Sequence, residues 1–394
     1  MRTGIVALLA TLTVAGSCAS PAGPELFLDP WRAPALVERI AADSTQLAGF
    51  SRLHLLVFSN GQTLYPTGVK PFAQGPAFVS NDLLARTEEA CSKAGVDCCL
   101  AADLLTWERA DTDSPGLFAK VPEWFELGES GGCGSGSDPA KYASPFREEV
   151  RTALRNVLVE LATRDPAPDG FTLACRLSPY QMLGYSVAAR EALIHARSMD
   201  PIDLTDQGRL AWWALWREER MAEWCAELCG ELREKRPNAP IVAWGTGSYY
   251  AKGLSLKGKT ADNWLAWMQQ GAVSEALLDT TWHERWNRAV WGILTRMAQE
   301  AKQKPQAGGP PADFLERLHP LVRTRKPDGT PCLEEELKAL DEQGAPLTRA
   351  VFWPVVAEDW EAVRAVVTRL SEDLPPEGGK REEGDGGAKA TAKE

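Results

Sequence analysis

Leu53-His54-Leu55-Leu56-Val57-Phe58 is a near-continuous apolar run, and such a run suits a parallel strand buried on both of its faces. Successive strand residues point to opposite sides, so apolar residues on both sides imply a sheet covered above and below. Comparable β-rich runs recur along the chain. Strands are expected at residues 25–28, 52–58, 95–101, 170–174, 239–244, 274–279, 318–324 and 349–353.

Segments of helical period separate these runs: 34–47, 82–94, a helix capped by Ser144 with Pro145 in its first turn, then 209–235, 262–270, 284–302, 333–343 and 358–370. In the helix after Ser144, residues Phe146, Val150, Leu154, Val157, Leu158 and Leu161 share one face, with Glu148 and Glu149 near the positive end. Gly344 follows the seventh helix as a terminator. Alternating strand and helix predicts a parallel sheet with helices packed outside it. Eight such units in about 350 residues match a closed (β/α)8 TIM barrel, an α/β fold, here a single domain over residues 24–372 with loop insertions. The alternative is an open doubly wound sheet, which the lack of a Gly-rich phosphate loop after any early strand disfavours.

Two inserts interrupt the pattern. Residues 127–143, containing Gly131-Gly132-Cys133-Gly134-Ser135-Gly136, read as a flexible loop after the third strand. Residues 304–311, with Gly308-Gly309-Pro310-Pro311, read as a linker before the seventh. The tail 373–394 is Gly, Lys and Glu with almost nothing apolar, so disorder is expected there.

The N-terminus reads as a signal peptide of lipoprotein type over residues 1–17. A basic Arg2 precedes an apolar stretch from Gly4 to Val14, too short for the roughly 20 residues that span a bilayer. Ala15-Gly16-Ser17-Cys18 is similar to a bacterial lipoprotein cleavage box, and a diacylated Cys18 would give a stable two-chain anchor. Ala19 after the Cys points to the periplasmic face of the outer membrane; ordinary cleavage near Ala19 would give a periplasmic or secreted protein instead. The membrane is then a partner through the anchor only.

A net charge of −11 argues against nucleic acid, which needs basic surface to displace counterions. Hydrophobic content of 44% and charged content of 25% are those of an ordinary globular chain. Eight cysteines remain besides Cys18. Cys91, Cys98, Cys99 and Cys133 lie in one region and could include a bridge, with the pairing open. Cys225 and Cys229 sit one turn apart on a helix but lack a second pair at ligand spacing, so no metal and no cofactor is expected.

With the strands placed, the order of local patterns resembles the glycoside-hydrolase-like family ten lipoproteins. The resemblance runs through Leu56-Val57-Phe58-Ser59-Asn60-Gly61-Gln62-Thr63-Leu64-Tyr65-Pro66 and the stretch 90–101 followed by Asp103. It continues in 144–170 closing on Pro168-Asp169-Gly170, in Gly184-Tyr185-Ser186 with Trp213-Ala214-Leu215-Trp216-Arg217, in Asp262-Asn263-Trp264 with Trp267, and in 333–344 before Ala350-Val351-Phe352-Trp353. It covers most of the chain after Cys18. It implies a (β/α)8 barrel related to hydrolases of the peptidoglycan glycan. The fourth strand departs from the pattern. Where that family carries an acid, then an aromatic, and closes on Arg-aromatic-Pro, this chain has Ala174, then Leu177-Ser178-Pro179, with Arg176 one place early. Ala174 can neither donate nor accept a proton.

Glycoside cleavage usually needs two carboxyls flanking the bond, and in a barrel they belong at the C-terminal strand ends. Asp29, Asp103, Asp279, Glu284 and Glu358 are so placed, each with a helix cap or loop hydrogen bond as its bland reading; Asp103 and Asp279 are the pair that position favours. His283 could replace a missing acid–base group, although a lone His beside Trp282 is more often packed; His54 and His319 read as structural. Ser248 and the cysteines lack a His–Asp arrangement, which argues against a serine or cysteine hydrolase. Tryptophan numbers 15 against 6 Tyr, and Trp31, Trp107, Trp244, Trp282 and Trp353 fall at or beyond strand ends, where flat indoles would suit sugar rings. Trp212, Trp213, Trp216 and Trp224 share one helix and read as packing. Arg176 and Asn60 join the substrate-binding candidates, and Arg323 and Arg325 suit a substrate carboxylate or an internal ion pair. The expected function is a cell-envelope glycan-binding barrel with weak or lost hydrolase activity. The alternatives are an active glycoside hydrolase using Asp103 and Asp279, and a non-catalytic scaffold lipoprotein.

Overall fold

The computed structural model describes residues 23–79, 82–109, 116–133, 140–177, 183–204, 207–246, 263–279, 284–303, 313–326 and 328–372. The expected signal peptide with Cys18, the expected linker 304–311, the glycines at 134 and 136, Ser248 and the tail 373–394 lie outside these.

Eight parallel strands close into a ring: β1 (Glu25–Leu28), β2 (Arg52–Ser59), β3 (Asp97–Asp103), β4 (Gly170–Ala174), β5 (Ile241–Thr246), β6 (Glu275–Asp279), β7 (Leu318–Val322) and β8 (Val351–Phe352). Each pairs with the next, and β1 pairs with both β2 and β8, so the sheet has no free edge among the barrel strands. Eight helices follow in turn: α1 (Pro34–Ala42), α2 (Leu83–Ala94), α3 (Glu148–Ala162), α4 (Gln207–Lys235), α5 (Trp264–Gln269), α6 (Glu284–Gln303), α7 (Leu333–Asp341) and α8 (Trp360–Glu372). The chain is a (β/α)8 barrel, as its strand–helix alternation implies. No helix among the described residues is long and apolar enough to cross a membrane.

Three local readings change. The third strand begins at Asp97, because Gly95, with φ of 67°, takes the left-handed conformation that ends α2. Ser144 does not cap α3, which starts at Glu148 behind Arg147; its buried hydroxyl instead donates to the Glu126 carboxylate. The insert after the third strand, read as loop over 127–143, ends in a strand: Ala140–Tyr142 pairs antiparallel with Thr106–Arg109. The bridge that the sequence allowed among Cys91, Cys98, Cys99 and Cys133 is not formed; all four are free thiols. Alternation explains part of this, since Cys98 faces the helices against Cys91 while its neighbour Cys99 faces the barrel interior beside Gly170.

Alternation along the strands also divides the core. Leu53, Leu55 and Val57 join the outer layer against the helices. Leu56, Ala101, Val242, Leu277, Leu321 and Val351 fill the interior with Phe27, Trp244 and Trp353. Gly245 on β5 permits a close approach from outside: a Cβ there would lie 2.6 Å from the Trp264 indole. Beyond β4, Val187–Arg197 and the first half of α4 form an accessory layer around Tyr185, Leu193, Leu204, Trp213 and Trp216.

The N-terminal end of the interior is polar. Arg52 Nη1 lies 2.5 Å from Glu275 and 3.7 Å from Glu25. His54 bridges Glu25 and Thr172, each at 2.7 Å, and His319 bridges Glu25 and Glu275 at 3.0 and 3.1 Å. Burial pushes the Glu25 carboxyl up, but the charges of His319 and Arg52 outweigh it and hold the group well below its ordinary range. Burial works against protonation of His319, yet Glu25 and Glu275 raise it to about 9, while His54 is pushed down by burial. Ions this deep persist only when mutually paired. Both histidines are structural, as their strand positions suggest.

Candidate functional site

Active sites of closed barrels gather at the carboxyl ends of the strands. Here those ends surround an aromatic floor. The rings of Phe27 and Trp244 are 4.6 Å apart, and those of Trp244 and Trp353 are 5.5 Å apart at 69°. Side chains two residues apart on a strand share a face. The positions rising past the interior layer are therefore Asp29, Asp103, Arg176, Asp279 and Arg323, each two beyond Phe27, Ala101, Ala174, Leu277 and Leu321.

Guanidinium groups lie over the indoles. Arg176 is 4.3 Å from the Trp244 ring centre, while Arg323 and Arg32 lie 5.2 and 5.5 Å from that of Trp353. Trp244 is only 4% exposed and Trp353 only 8%, so neither offers the open sugar platform expected of it. What they present is the buried indole N–H, which has no hydrogen-bond partner in either residue.

Each of three carboxyls has an arginine nearby, on different terms. Asp279 is clamped, with Arg323 Nη2 2.7 Å from its Oδ2. Burial works against the Arg323 charge, but the interaction with Asp279 more than restores it. Asp29 accepts the backbone N–H of Trp31 at 3.0 Å and of Arg32 at 3.3 Å, with Arg32 Nε 3.3 Å from its other oxygen. Burial still carries Asp29 above its ordinary range, with Asp103 adding to the rise.

Asp103 differs. Thr106 donates to it, and Arg176 exerts an attractive field, but burial prevails and raises its pKa. Its Oδ1 is buried without a hydrogen-bond partner. No ion pair forms between Asp103 and Arg176. The mouth thus holds one carboxyl whose pKa burial raises and another in an ion pair with an arginine; two carboxyls in different surroundings are what acid–base chemistry on a glycosidic bond uses.

Other expected residues fall elsewhere. Trp107 is fully buried among Phe72, Trp124 and Phe125, and its indole donates to the Leu104 carbonyl at 2.8 Å, so it belongs to the core and not to a groove. Asn60 ends β2 at φ 52°, buried, with an unpartnered Oδ1. Trp31 leans edge-on against Phe78 and donates to Gln62 at 3.1 Å. Arg325 is held by both oxygens of Asp359 at 2.7 and 2.8 Å, the internal pairing foreseen as its alternative, and the Glu358 side chain stands in solvent. Trp282 and His283, and the side chain of Glu284, lie outside the described residues. Trp213, Trp216 and Trp224 are buried, and Trp212 half-buried, in helix packing. Phe27 and Arg32 were not foreseen; the only signal for Arg32 was its place three residues past the first strand-end acid. Among the described residues no group of three or more His, Cys, Asp or Glu is arranged to hold a metal.

Compared with solved structures, the chain is similar to glycoside hydrolase barrels. The glycoside hydrolase domain of PgaB (BpsB) from Bordetella bronchiseptica matches at a TM-score of 0.60 and 14% identity, covering 91% of this chain and 100% of that one. The catalytic domain of β-amylase from Paenibacillus polymyxa matches at 0.60 and 11%, with the same coverage. A β-galactosidase from Bacillus circulans matches at 0.55 and 12%, over 85% of this chain and 50% of that one. At these identities the likeness is one of fold. No family model and no curated protein matches the chain.

Proposed function

We propose that the protein is a glycan-binding barrel related to glycoside hydrolases, working at the cell envelope on a polysaccharide such as the peptidoglycan glycan. The observation that carries this reading is the mouth itself. The indole N–H groups of Trp244 and Trp353 and the Asp103 Oδ1 are buried there without a hydrogen-bond partner among the described residues, and the Arg176 guanidinium lies over the Trp244 ring. Buried polar groups are normally satisfied, and a hydroxyl-rich ligand would supply what is missing. The fold likeness to carbohydrate-acting barrels supports the same reading. Affinity electrophoresis of the full chain through gels of defined polysaccharides tests it. Retardation by at least one glycan is expected, and free migration through all of them would instead favour a scaffold lipoprotein.

A specific observation favours a second reading, an active hydrolase. Ala174 removes the acid of the resembled family, but Asp103 stands beside it with a pKa raised by burial, and Asp279 is paired with Arg323. Reducing ends released from the bound glycan, and lost in both Asp103→Asn and Asp279→Asn, would establish it. Anchoring through Cys18 completes the proposal: labelled palmitate should enter the wild type and not Cys18→Ala.

A further inference from the structure

Arg176 is the one strand-end arginine at the mouth that no carboxylate claims. Arg323 is paired with Asp279 and Arg32 with Asp29, but Arg176 has no hydrogen-bond acceptor and no ion pair among the described residues. Its guanidinium carbon lies 4.3 Å from the centre of the Trp244 ring, which itself packs against Phe27 and Trp353. A guanidinium held over an aromatic face loses less freedom on binding, and its planar fork matches a carboxylate through two parallel hydrogen bonds. The neighbouring Trp244 N–H, buried and unpartnered, adds a donor beside it.

We propose that Arg176 selects an acidic glycan, gripping a sugar carboxylate that lies over Trp244 at the β4–β5 side of the mouth. The inference rests on the glycan reading above and narrows it to a substrate class. Asp103 lies within the field of Arg176, and burial already raises its pKa. An anion bound at Arg176 would raise it further. Two sources carry the required group: the C6 carboxylate of a uronic acid, and the ether-linked lactyl carboxylate of a muramic acid.

Calorimetric titration of the full chain with matched pairs tests this. The pairs are oligogalacturonate with its methyl ester, and uncrosslinked peptide-free peptidoglycan glycan strands with their carboxyl-amidated form. One acid member should bind at least tenfold tighter than its neutral twin, and the pair that shows the difference identifies the source. Arg176→Gln should bring acid and neutral twins within threefold of each other, and Arg176→Lys should fall between. Equal affinity of the wild type for both members of each pair, with binding retained, overturns the inference and leaves the glycan reading standing. Discrimination that persists in Arg176→Gln also overturns it. Failure to bind any of the four glycans, nor any other polysaccharide, sinks both.

Discussion

Asp103 and Ala174 are register partners across the β3–β4 ladder, so a buried carboxyl stands level with the methyl group that replaces the acid of the resembled family. Both side chains face the interior, and only one can carry a proton. The missing acid therefore has a neighbour of the right chemistry one strand away, and its Oδ1 has no partner to hold it in a structural role.

That unpartnered oxygen predicts little or no stability loss on its removal, even though Thr106 donates to the same carboxyl. An unsatisfied buried polar atom costs about 1–3 kcal/mol. Asp103→Asn trades an acid resisted by its surroundings for a neutral amide, and Asp103→Leu removes the polar atoms altogether. Both should unfold at equal or higher temperature than wild type by calorimetry, by a few degrees at most, while glycan binding or turnover falls at least tenfold. A marked loss of stability in both would return Asp103 to an ordinary structural role.

The Asp279–Arg323 pair should behave in the opposite way. Removing one partner leaves an uncompensated charge, which costs about 3–5 kcal/mol in a buried site. Asp279→Asn and Arg323→Met should each be clearly destabilised in urea unfolding. The double substitution should lose less than the sum of the two, and a double-mutant cycle near zero coupling would show that the pair is not the charged unit described here.

The interior network at the other end of the barrel sets a pH dependence. His319 has its pKa raised from 6.5 to about 9, so its contribution is complete below pH 6.5 and fades as pH rises through 9. The full effect is on the order of 3 kcal/mol. His54 has the opposite sign: its pKa is lowered, so its contribution is present above pH 6.5 and declines toward acid. Glu275, lowered from 4.5 to about 2, adds to the acid side, its contribution being lost as pH falls from 4.5 through 2. Unfolding free energy should therefore decline between pH 6.5 and 9, and His319→Gln should flatten that arm whatever its absolute stability. Imidazole NMR finding His319 neutral at pH 7 would refute the assignment.

The barrel was legible because it depends on period and polarity, which each residue carries locally. Residues 25–28 and 170–174 match β1 and β4 to the residue. The misread start of β3 shows where local reading fails: Gly95 looks alike as the first residue of a strand and as the left-handed end of a helix. The mouth was legible by position alone. Asp103, Asp279, Trp244, Trp353 and Arg176 could be placed at strand ends, but their partners could not. Whether an indole faces a sugar or a guanidinium depends on which arginine reaches over from another strand, as Arg323 does over Trp353. Trp107 was misplaced for the same reason, since the insert that covers it, through Trp124 and Phe125, has no periodic signature.

Trp244 offers the sharpest separation of floor from ligand contact. It packs against Phe27 and Trp353, supports Arg176, and keeps an indole N–H that finds no acceptor among the described residues. Trp244→Ala would empty the floor and should cost about 3–5 kcal/mol, as large-to-small changes in cores do. Trp244→Phe keeps an aromatic ring under Arg176 and deletes the orphan donor, so the packing loss is partly offset by the removal of an unsatisfied N–H, and the melting temperature should stay within a few degrees of wild type. Affinity for glycan should nonetheless fall roughly tenfold, the worth of one hydrogen bond of about 1.4 kcal/mol. If Trp244→Phe binds as tightly as wild type while Trp244→Ala simply unfolds, the indole is floor alone and its N–H meets no ligand.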